Sequence, residues 1–159
     1  MDMDHDFNRQ WLITKFDNIR SRTLKVLVQL NDEQVNWRPR PSSLSISTLI
    51  RHIDGNMKER VTKGILHQDV MRNREEELTQ TFVSRDDLIQ IVKNRFQFLI
   101  DTVSSMSNDD FEQVQSVRGT ERTNLDILHQ CATHYSEHMG QIFYIAKQCL
   151  EVQYKSTSI

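Results

Sequence analysis

The sequence predicts an all-α chain folded as a four-helix bundle, and three observations carry that expectation. Chain-breakers are scarce, with 4 Gly and 2 Pro in 159 residues, while side chains that lose little freedom in a helix abound. Apolar residues recur at spacings of three and four in four separate stretches. Two of those stretches open on Ser or Thr followed three residues later by Asp, a helix-start signal.

The first helix is expected from about Phe7 to Leu30, with Trp11, Phe16, Ile19, Thr23, Val26, Leu27 and Leu30 as its apolar stripe. It stops at Asn31-Asp32. The stretch from there to Ser45 contains Trp37-Arg38-Pro39-Arg40-Pro41, and each proline disfavours helix at the residue before it. This reads as an extended connection with Trp37 tucked onto the bundle. Ser45 caps a second helix whose stripe is Ile46, Ile50, Ile53, Met57 and Val61, ending between Gly64 and Gln68. The polar run from Asp69 to Thr81, with Arg72-Asn73-Arg74-Glu75-Glu76-Glu77 inside it, reads as a solvated loop or helix end.

Ser84 and Asp87 then start a third helix, carried by Leu88, Ile91, Val92, Arg95, Phe96, Phe98, Leu99 and Val103 to about Met106. Between Ser107 and Thr123 the periodicity breaks. Phe111, Val114 and Val117 around Gly119 allow a short hairpin or an irregular crossover. Thr123 and Asp126 start the last helix, expected to reach about Tyr154. Its stripe of Leu128, Ala132, Tyr135, Met139, Ile142, Ala146 and Cys149 alternates threes and fours, the spacing of bundle packing. Residues 1–159 fit one domain with one core.

The bulk chemistry narrows the function. Net charge is −2 with basic residues scattered, unlike the basic stripe of a nucleic-acid binder. No apolar run approaches the roughly 20 residues of a membrane span. The start, Met1-Asp2-Met3-Asp4-His5-Asp6, is acidic where a secretory signal is basic. A cytoplasmic protein is expected. Cys131 and Cys149 would stand about 27 Å apart on one helix, too far to bridge, and read as two buried thiols.

His134 and His138 are the most informative pair in the chain. Four residues along a helix bring two imidazoles to within roughly 40° of each other, one turn apart, so one helix offers two nitrogen ligands to one divalent ion. A third ligand has to come from elsewhere, and His52 on the second helix is placed for it. One residue back from each core stripe run Ile127, Cys131, His134, His138, Gln141 and Ile145 on the last helix, and Leu49, His52, Asn56 and Glu59 on the second. Both helices thus carry histidine beside the core, where bundles build metal sites. Whether the two crevices meet is a matter of packing. His5 in a frayed terminus, His67 near a helix end and His129, about 140° round from His134, read as non-ligands.

The segment His134-Tyr135-Ser136-Glu137-His138-Met139-Gly140-Gln141-Ile142 resembles the closing motif of the DinB-like superfamily, His-x-x-x-His-x-Gly-Gln-[Ile/Leu]. Leu30 to Pro39 resembles that family's stretch before its second helix, and Ser45 to Ile53 its first-ligand segment. His52-Ile53-Asp54-Gly55-Asn56 resembles an uncharacterised branch of small bacterial members. The resemblance covers nearly the whole chain. It implies an up-down-down-up bundle, usually a homodimer, with a divalent metal on His52, His134 and His138. It also implies thiol-dependent chemistry like that of mycothiol-dependent maleylpyruvate isomerases and bacillithiol transferases, or metal-dependent hydrolysis. The chain departs from the pattern at Met139, where many members have arginine.

Three neutral imidazoles leave a divalent ion, zinc or nickel in this expectation, with an open position where a thiol or water is activated. The expected partners are a low-molecular-weight thiol and a small electrophile. Asn56, Glu59 and Gln141 are expected to orient ligand or cofactor, and Arg60 to attract an anionic substrate or to serve as surface charge. Cys131 is either near the metal or a small core residue, and Gly140 allows close helix approach. The rival class is a non-catalytic stress-response or interaction bundle.

Overall fold

The computed structural model describes residues 4–158, so part of the acidic start falls outside the described residues. Four long helices form the body: α1 (Asp6–Leu27), α3 (Ile46–Met57), α5 (Arg85–Ser105) and α7 (Asn124–Leu150). Short elements lie between them: α2 (Asp32–Asn36), α4 (Arg74–Glu77), α6 (Asn108–Glu112) and the strands β1 (Val114–Val117) and β2 (Thr120–Thr123). Helix α1 packs on α5 and α7, and α3 packs on the same two. The interior is aliphatic and aromatic, with Phe16, Leu88, Leu99, Phe111 and Tyr135 fully buried. No helix among the described residues is long and apolar enough to cross a membrane.

Local chemistry sets the long helices. The hydroxyl oxygens of Ser45, Ser84 and Thr123 accept the backbone N–H groups of Thr48, Asp87 and Asp126, satisfying donors that a helix start leaves unpaired. Helix α3 does not stop at Met57 but continues as a π-helical turn, Lys58–Lys63. The break after Met106 resolves into α6 and an antiparallel hairpin pairing Val114 with Thr123 and Val117 with Thr120. The turn residues Arg118 and Gly119 both have positive φ, 51° and 78°, as a two-residue hairpin of right-handed twist requires.

Several expectations need correction. Trp11 is 42% exposed and Leu12 takes its place in the core, because the buried stripe of α1 runs through Leu12, Phe16, Ile19 and Thr23. Trp37 is also 42% exposed. It is the extended C-cap of α2, a helix unforeseen in the connection and held by a reciprocal Asn31–Gln34 capping box. Arg95 pairs with Asp54 instead of joining the core. Helix α1 ends at Leu27, short of the expected limit, while α7 ends at Leu150 and runs on as a 3-10 turn, Glu151–Gln153, to the expected Tyr154. Cys149 is half-buried; both cysteines are free. His5 is buried, not frayed: Nε2 meets the Glu112 carboxylate and the ring lies 5.3 Å from that of Phe111.

Candidate metal centre

The packing of α3 against α7 brings the two histidine-bearing crevices together. One nitrogen from each of His52, His134 and His138 lies within 4.8 Å of the others. Ring centroids are 4.5 Å apart for His134–His138, 5.0 Å for His52–His138 and 5.4 Å for His52–His134. The two α7 rings face each other through Nε2, 2.8 Å apart. Gln141 Oε1 lies 2.7 Å from His138 Nδ1. With the Gln141 carbonyl accepting from Nδ1–H, the His138 Nε2 turns a bare lone pair toward His134. Facing nitrogens at that distance call for a proton or a cation between them. An all-nitrogen donor set of this kind suits a borderline divalent ion such as zinc or nickel.

His52 has a carboxylate behind it, with no hydrogen bond formed between them. Its Nδ1 lies 3.5 Å from Glu77 Oε2 and has no closer partner. Arg72 grips the same carboxylate with both arms, Nε to Oε1 at 2.8 Å and Nη2 to Oε2 at 3.1 Å. Within the Arg72–Glu77 run, Asn73 to Glu76 are exposed, as a solvated helix end should be, whereas Arg72 is half-buried and Glu77 is buried. The cause is local. Asn73 caps α4 through the N–H of Glu76, and Arg51 of α3 donates to the carbonyls of Glu76 and Thr79 at 2.7 and 3.1 Å. That clamp turns the charge run back onto α3. Gly55 makes the space: a Cβ there would stand 1.7 Å from Glu77 Oε1. A glycine inside a helix costs about 1 kcal/mol relative to alanine, and Gly55 was the one signal in the sequence that could have betrayed this close approach.

Burial first, then the neighbouring His138 and His52 rings and the Arg60 and Arg72 charges, drives His134 down to about 4. Burial, followed by His138, also lowers His52, and the Glu77 carboxylate opposes that shift. These two imidazoles are neutral at pH 7, the form that ligates a metal. Burial pushes the Cys131 thiol up to about 11, so it is a protonated core residue and not a thiolate.

A cavity of about 610 Å³ opens onto His52 and His134 and is also lined by Asn56, Arg60 and Cys131. Asn56 Oδ1 accepts from the buried Tyr135 hydroxyl at 2.9 Å, tying α3 to α7 beside the site. Arg60 reaches the cavity as expected. Glu59 does not line it and faces Lys63 at 4.0 Å. Gln141 touches His138 from outside, in a separate groove with Gly140 and Tyr144. Gly140 serves no close approach, since an added Cβ would meet nothing within 4 Å. His129 lines the cavity but stacks on Trp11, and His67 is exposed; neither belongs to the histidine cluster.

The all-α body that brings these imidazoles together has the fold of solved DinB-like proteins. The chain belongs to the family described as "Protein of unknown function (DUF1572)", whose model matches residues 6–159. A DinB-like protein from Bacillus cereus superposes with a TM-score of 0.71 at 15% identity, covering 87% of this chain and 90% of that one. A DinB-like protein from Bacillus subtilis gives 0.70 at 13% identity, covering 94% and 96%. A conserved protein from Enterococcus faecalis gives 0.73 at 15% identity, covering 87% and 94%. The comparison with curated proteins returns no match.

Proposed function

We propose that this protein is a metal-dependent enzyme that joins a low-molecular-weight thiol to a small electrophile, with His52, His134 and His138 holding one divalent ion, zinc or nickel. The convergence of three imidazole nitrogens within 4.8 Å carries the reading. Bound there, the ion would supply Lewis-acid activation of a thiol or water nucleophile at neutral pH. The chain's own groups do the rest. Gln141 pairs with His138 Nδ1, Glu77 with Arg72 stands behind His52, and Asn56 borders the cavity. Cys131, kept protonated by burial, is unsuited as the nucleophile, which favours one supplied from outside the chain. The homodimer expected from the resemblance is part of the proposal and is checked by light scattering of the eluting protein.

Metal analysis of protein purified without a histidine tag should find about one divalent ion per chain, as a single three-ligand site dictates. His52→Ala should lose it and His129→Ala should keep it. No uptake after zinc or nickel supplementation rejects the site. A panel of thiols with monochlorobimane should then give a rate that disappears with chelator and returns with metal. Metal-dependent ester or amide hydrolysis without added thiol would replace the transferase with a hydrolase. A loaded protein inert in both assays would leave a non-catalytic bundle.

A further inference from the structure

The cavity over the histidines is basic in a chain whose net charge is −2. Arg60, Arg72, Arg74 and Arg118 line it, facing only Asp126 and Glu137. Arg72 is taken by Glu77, and Asp126 is taken by Arg122. Arg60, Arg74 and Arg118 form no ion pair among the described residues. They come from three different elements: the π-helical turn after α3, the first residue of α4 and the hairpin turn. Two of those placements are locally unfavourable. A π-helical turn is rare and is frequently found at functional sites. Arg118 holds φ at 51°, a left-handed conformation that asparagine or glycine adopts more readily.

Like charges gathered around one opening repel, here with Arg60 half-buried and Arg74 and Arg118 exposed at its rim. An anion relieves it, and a guanidinium grips carboxylate or phosphate through paired hydrogen bonds. The volume, about 610 Å³, is that of a small-molecule site. We propose that this cavity binds a small organic anion through carboxylate or phosphate groups held by Arg60, Arg74 and Arg118, with its reactive end at His52 and His134. The position of the reactive end rests on the metal-enzyme reading above; the anion site itself does not. Either the thiol or the electrophile of that reaction is then acidic.

Isothermal titration of the full chain with succinate, inorganic phosphate and neutral succinamide tests this, with metal content measured on the same samples. Succinate or phosphate should bind and succinamide should not, the tighter anion identifying the acidic group. Arg118→Asn, which suits the left-handed turn, and Arg74→Gln should each weaken binding roughly tenfold, as loss of a charge-assisted hydrogen bond does. Arg20→Gln, remote from the cavity, should change nothing. Equal binding of the neutral diamide, or equal losses in all three variants, overturns the proposal. One metal per chain without anion binding defeats this inference alone. Anion binding in a chain that takes up no metal defeats the enzyme and keeps the anion site.

Discussion

Glu77 brings its carboxylate to His52 through a space that exists because residue 55 lacks a side chain. A carboxylate behind a ligating imidazole fixes its tautomer and raises its basicity. Glu77→Gln should therefore weaken metal binding by roughly 10- to 100-fold, measured by competition with a chelating dye. Gly55→Ala should act in the same direction without touching a charged group, because its methyl displaces the carboxylate. Unchanged affinity in both variants would reduce Glu77 to a structural partner of Arg72. Histidine spacing was legible in the sequence at this scale. The Gly55–Glu77 contact was not, because it depends on how a loop folds back over a helix.

Helix α3 is the element on which the site depends, since it carries His52, Gly55 and Asn56 and runs on to Arg60. It begins at Ser45, whose hydroxyl both caps the Thr48 N–H and bonds the Thr48 hydroxyl at 3.1 Å in a buried setting. Ser45→Ala should lower stability by about 1 kcal/mol, read as a lower midpoint in urea unfolding with an unchanged slope. A midpoint equal to that of the parent would show that packing alone sets this terminus. Caps and stripes were readable because each involves residues within one or two turns. The π-helical turn was not: Met57 and Val61 still look like one stripe while the hydrogen bonds between them change.

Across the whole molecule, the histidine cluster makes the metal-free fold sensitive to acid. His134 sits near 4 in the folded chain against an ordinary 6.5, so the unfolded chain binds more protons between those values. Stability is then complete above about 6.5 and falls as pH drops toward about 4. Urea midpoints of the metal-free protein should be lower at pH 5 than at pH 7, and His134→Gln should shrink that difference. The same pH dependence in both proteins would remove His134 as its source. Bound metal should shift the midpoint upward at pH 7, because only the folded chain presents the three nitrogens together.

Near-neighbour chemistry written along the chain accounts for the long helices, the caps of three of them and the pairing of His134 with His138. Those features depend on residues a turn or two apart, and periodicity measures that range. The meeting of His52 with the α7 histidines, the burial of Glu77 against Arg72 and the assembly of unpaired arginines over one cavity depend on how α3, α4, α7 and the hairpin pack. Such contacts join residues tens of positions apart. Composition sees only charge there, and packing decides whether that charge meets water, a partner or an open site.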